Sequence, residues 1–143
     1  MANNKTNYLE KAAIDHFLNK VDYTNPTTYV ALFVSATDET GGGSEVSGAS
    51  YTRAIVYESG SGSSPKWNTG VHDGGTGGYL VDNAADITFT TAGEDWGYIV
   101  DCAIFDAATT GNMLYYGTLT TPKTVNSGDT IKFVSGALDV TEL

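Results

Sequence analysis

Cysteine occurs once in these 143 residues, histidine twice and proline three times. A single cysteine excludes a disulfide within the chain. Cys102 stands inside an apolar run, where a small buried hydrophobe is the expected role rather than a reactive thiol. The two histidines are His16 and His72, and neither GxSxG nor HExxH occurs, so the usual nucleophile and metalloprotease signatures are missing. Basic residues are scarce, 7 against 17 acids, for a formal net charge of −10. A chain this acidic repels phosphate backbones, which argues against nucleic-acid binding. No window reaches the roughly 18–20 apolar residues of a membrane span. The opening MANNKTN has neither a basic n-region nor an apolar h-region, so no secretion signal is read there.

What the chain does have is glycine, threonine and aromatics, with 17 Gly and 9 Tyr. The stretch WGYIVDCAIFDAATTGNMLYYGTLTTPKTVNSGDTIKF, residues 96–133, organises the rest. Apolar runs at 98–105 and 113–119 flank the polar turn DAATTGN, the mark of a β-hairpin with a loop longer than two residues. A second turn, NSGD, delivers a third strand at 130–134. Alternation in the first run is imperfect. Val100, Cys102 and Ile104 would face one way and Asp101 and Ala103 the other, yet Ile99 and Phe105 add apolar groups to the Asp101 side. A strand apolar on both faces is central, or covered on its second face by a helix or a partner.

The N-terminal segment predicts a helix over 8–19, with Asn7 and Glu10 spaced as a capping box. Leu9, Ala13 and Phe17 fall on one row and Ile14, Leu18 and Val21 on the next, a broad apolar stripe. Packing across a sheet is the expected use of that stripe, and Phe17→Ala would then cost about 3–5 kcal/mol. Docking onto another subunit is the alternative. Residues 1–20 hold three basic and two acidic groups, a net of +1, which leaves −11 on the remainder.

Further strands are expected at 28–34, 51–58, 79–81, 87–90 and 137–141, with Gly/Ser-rich loops at 35–50 and 59–78. The second loop holds Lys66, Trp67 and His72. About eight strands after one helix predict a mainly β fold, a two-sheet sandwich of jelly-roll or Greek-key type over 28–141, in a single domain, 1–143. Acids pair at Asp38/Glu39, Glu94/Asp95 and Asp82/Asp86, but loop acids are normally solvated, and turn formation by Asp and Asn explains both Asp82–Asn83–Asp86 and Asp106–Thr109–Asn112 without calcium. No catalytic residue, metal ligand or cofactor site is assigned. The candidate contact residues are Leu9 and Phe17 on the helix and Lys66, Trp67 and His72 in the second loop.

The runs TYVALFVSATDETGGGSEVSGASYTRAIV, AADITFTTAGEDWGYIVDCAIFDAATTGNMLYYGTL and KTVNSGDTIKF, with NYLEKAAIDHFL ahead of them, resemble a family of small tailed-bacteriophage virion proteins commonly labelled tail fibre proteins. A looser likeness is to the β-rich decoration proteins of phage capsids. The resemblance implies a structural, non-enzymatic virion protein, made in the bacterial host cytoplasm and exposed on the particle. It would be a capsid decoration or cement subunit, or a compact tail-fibre-associated one. The implied partners are other virion proteins, capsid or tail subunits, and further copies of itself, with a trimer compatible with threefold capsid positions. A receptor- or glycan-binding module of the tail is the alternative.

Overall fold

The computed structural model describes residues 4–57 and 66–142. Glu58 and residues 59–65 of the expected second loop lie outside them. In chain order the elements are β1 (Asn4–Lys5), α1 (Asn7–Leu18), β2 (Thr28–Phe33), β3 (Ala54–Tyr57), β4 (Val71–His72), β5 (Tyr79–Asp82), β6 (Ile87–Thr88), β7 (Gly97–Phe105), β8 (Met113–Val125), β9 (Lys132–Phe133) and β10 (Asp139–Glu142). The fold is mainly β with one helix, as the sequence predicts. Among the described residues, no helix is long and apolar enough to cross a membrane.

A five-stranded antiparallel sheet, ordered β1-β8-β7-β2-β3, carries the core. The β7–β8 hairpin lies at its centre, and its turn is built as Asp/Asn chemistry dictates. Asp106 Oδ1 accepts the Asn112 N–H (2.7 Å) and Oδ2 the Asn112 side-chain amide (2.8 Å). Gly111 has φ +71°, and a Cβ there would lie 2.6 Å from Asp106 Oδ1, so the position requires glycine.

One face of this sheet presents Val30, Leu32, Val56, Ile99, Cys102 and Val125 to the main core, where Ile87, Phe89, Trp96 and Leu138 meet them. A register shift between Ile99 and Asp101 explains the broken alternation of β7. The irregularity lets Ile99 share the core side with Cys102, two apolar positions that strict period-two reading puts on opposite faces. The other face carries Ala31, Phe33, Ala103, Phe105 and Met113. Within the chain this face is covered by the 35–50 loop together with the Arg53 side chain. Thr37 bonds Asp101. The Arg53 guanidinium lies 3.6 Å over the Phe105 ring, grips both carboxylate oxygens of Glu45 and donates to the carbonyls of Ala107 and Thr110.

Two smaller sheets, β10-β5-β4 and β6-β9, complete the fold. Buried Asn83 joins them. Its amide donates to Ala85 O (2.8 Å) and Val134 O (3.0 Å), and its Oδ1 accepts from Leu138 N (2.8 Å). A buried asparagine with three backbone partners is a structural clamp.

Candidate functional site

α1 is suspended at its start. Thr6, not Asn7, caps it: the Thr6 side chain accepts from Leu9 N (3.4 Å), while its N–H and hydroxyl donate to carbonyls at the head of β8. Asn7 N donates to Glu39 O (2.9 Å). At the far end Asn19 and Lys11 both bond Asp15, and these contacts hold the Asp15 carboxyl below its usual range, the Lys11 bond most strongly. His16 Nδ1 accepts from Tyr23 N (3.3 Å), tying the helix to the chain that follows it.

With anchors only at its ends, the helix buries no residue fully. At 3.6 residues per turn, Leu9, Ala12 and Ala13 share one side, and these are half-buried. Ile14, Phe17 and Leu18 turn away from it and are 57, 78 and 77 % exposed; Val21, 55 % exposed, lies beyond the helix end, after Lys20 at φ +58°. The expectation that the Phe17 and Ile14/Leu18 rows bury against the sheet is therefore corrected. The apolar residues encircle much of the helix, and Leu9 with two alanines, not Phe17 or Leu18, faces the body.

On the body side of α1 a groove runs between Leu9, Tyr23 and Pro26 on one wall and Lys66 and Trp67 on the other, over Leu114 and Tyr115. It continues past Trp67 over Ile104, Val81 and Val140 towards Glu142. Trp67 is fixed by pairing with Asn83 and by its indole N–H, which donates to Thr28 Oγ1 (3.1 Å). Its ring packs against both the main core and the Ile104–Leu114–Val140 cluster while one side stays open. Tyr115 donates to Glu142, whose other carboxylate oxygen pairs with Lys5 (2.8 Å). Burial pushes the Tyr115 and Tyr23 phenols up. The Tyr23 hydroxyl is buried in the same region and has no hydrogen-bond partner among the described residues.

The structure thus brings Leu9, Lys66 and Trp67 together. Phe17 stands on the outer side of α1. His72 lies on β4, edge-on to Tyr79 (5.7 Å between ring centres). The segment from Trp67 onward is no loose insertion, since β4 pairs with β5. Tyr23, Pro26 and Tyr115 were missed. Pro26 reads in sequence only as a helix terminator, and the two tyrosines only as generic strand or linker aromatics.

Burial pushes the Cys102 thiol up and keeps it protonated. Asp38 is held low by the Thr40 hydroxyl and by the N–H groups of Gly42 and Thr40, a closed turn and not a metal cradle. Asp86 is committed to Lys132 and Ser135 N. Among the described residues, no three His, Cys, Asp or Glu side chains gather as a metal site.

A family model described as podophage GP4 fiber I protein gp80 matches residues 4–141. The chain belongs to this family. The match runs from β1 into β10 and takes in α1 and both walls of the groove. The phage-fibre likeness carried by the sequence motifs is thereby established for nearly the whole length of this fibre-family protein. No curated protein matches it.

Proposed function

We propose that this fibre-family chain is a non-catalytic structural subunit of a phage virion, mounted in the tail-fibre apparatus and exposed on the particle. The observation that carries the reading is the family match over residues 4–141. The capsid-surface position considered from the sequence draws no support from that description. Attachment to a neighbouring virion protein runs through the groove at Leu9, Lys66 and Trp67, where a half-open tryptophan over an apolar floor gives the buried aromatic anchor that interfaces favour. The function is mechanical: covered apolar surface holds the fibre parts together, and occupancy follows mass action.

The test is incorporation. Particles grown with the Trp67→Ala chain as their sole source should lack it, although the variant is made and folded. Normal incorporation would contradict the assignment of the groove.

A second reading has one observation in its favour. Tyr23, Trp67 and Tyr115 line the groove beside Lys66, and aromatic faces with polar edges suit a sugar ring. A receptor glycan in the groove predicts that Trp67→Ala enters particles normally and abolishes adsorption to the host.

A further inference from the structure

Among the described residues, none covers the outer side of α1. Phe17 and Leu18 are the most exposed large apolar side chains of the described residues, and Ile14, one turn earlier, extends them into a short ridge. The spacing of that ridge, at 14, 17 and 18, is the i, i+3, i+4 spacing by which one helix packs on another. We propose that the ridge is a self-association surface: α1 of one copy packs against α1 of a second copy, ridge on ridge. This goes beyond the fibre assignment, because it concerns how the chain meets itself before it meets the particle.

Charge selects the occupant. Three of the chain's seven basic groups, Lys5, Lys11 and Lys20, fall within residues 1–20 beside only two of its seventeen acids, Glu10 and Asp15. The segment is therefore close to neutral, at +1, while the remainder carries −11. Two copies approaching by most other faces bring strongly acidic bodies together. Approach through α1 joins their near-neutral parts and lets the solution screen the bodies over roughly 8 Å at physiological salt. Area fits as well. The three side chains expose on the order of 400 Å² per copy, and with the flanking stems of Glu10 and Lys11 they approach the roughly 600 Å² per partner of the smallest specific interfaces. A reversible, micromolar association follows.

The experiment is sedimentation of the full chain over the micromolar range, alongside the Phe17→Ser/Leu18→Ser variant. Both side chains are exposed, so the variant should melt as the parent does when dilute. The parent is expected to shift from monomer to oligomer with concentration, and the variant to stay monomeric. Raising salt from about 50 to about 500 mM should tighten the association at least about threefold, because it screens the acidic bodies. A ridge docked instead onto the acidic body of another copy would weaken with salt and overturn the proposal. Leu18→Cys supplies a readout that does not depend on the double variant folding. Ridge-on-ridge packing brings the two introduced thiols together, so mild oxidation should link copies through them, whereas Thr120→Cys should not link; buried Cys102 stays silent. A parent that is monomeric throughout, a double variant that still associates, or Leu18→Cys that fails to link an oligomer would each refute it. A monomeric parent whose ridge variants fail to enter particles would assign the ridge to another virion protein. A chain that associates as proposed but never enters particles would contradict the virion reading alone.

Discussion

Thr37 donates both its backbone N–H and its hydroxyl to the same carboxylate oxygen of Asp101, each at 2.7 Å. Asp101 is 3 % exposed and stands in the middle of β7, so this pair pins the 35–50 loop over the second face of the sheet. The charge that looks misplaced in an apolar strand is the fastening of its cover.

Asp101→Ala removes the acceptor and leaves the Thr37 donors unpaired beneath the loop. A loss of about 2–3 kcal/mol is expected, from hydrogen bonds to a charged group in a buried setting. Denaturant titration of the variant measures it, and a change below about 0.5 kcal/mol would mean that the loop is held by something else.

Arg53 combines a two-point ion pair to Glu45, two carbonyl contacts and a ring contact in one buried guanidinium. Lysine keeps the charge and loses the planar fork. Arg53→Lys should therefore destabilise nearly as much as Arg53→Ala, on the order of 2 kcal/mol. If lysine restored parental stability, charge alone would be the active ingredient.

Phe17→Ala should change the stability of the dilute chain by less than about 0.5 kcal/mol, since the ring is already in water. A loss of about 3–5 kcal/mol would return the helix to the buried packing that its pattern suggested.

Acid should loosen the turns. The carboxyls of Asp38, Asp73 and Asp86 all lie below their ordinary value of 3.8, each chiefly through a side-chain hydrogen bond, from Thr40, Thr76 and Lys132 respectively. A folded-state pKa below the unfolded one contributes stability that is present above the unfolded value and is lost as pH falls through the folded one. The melting temperature is thus expected to drop below about pH 4, and Asp38→Asn and Asp86→Asn should each shallow the drop. A chelator at neutral pH should leave melting unchanged, because both oxygens of Asp106 are already engaged by Asn112.

The hairpin, its turn and the Cys102 core position were legible because β periodicity and Asp/Gly turn chemistry act over a few neighbouring residues. The bulge at Ile99–Asp101 was not, since one inserted residue changes facing without changing composition. α1 was legible as a helix but not in its orientation. Periodicity shows that Leu9 and Phe17 are apolar, and only the anchors at Thr6 and Asn7 decide which of them meets the body. Leu9, Lys66 and Trp67 were picked for separate reasons, and their meeting in one groove depends on Trp67 pairing with Asn83, a contact invisible in local sequence. Asn83 itself reads as an ordinary turn residue because its partners Val134 and Leu138 lie 51 and 55 residues further along the chain.

The most direct measurement is an image of the intact particle with this subunit located by density or by a specific label. The account predicts the chain in the tail-fibre apparatus, at a few to a few dozen copies, with Trp67 covered by a neighbouring virion protein. Hundreds of copies spread over the capsid shell, or particles in which the chain is missing, would contradict it.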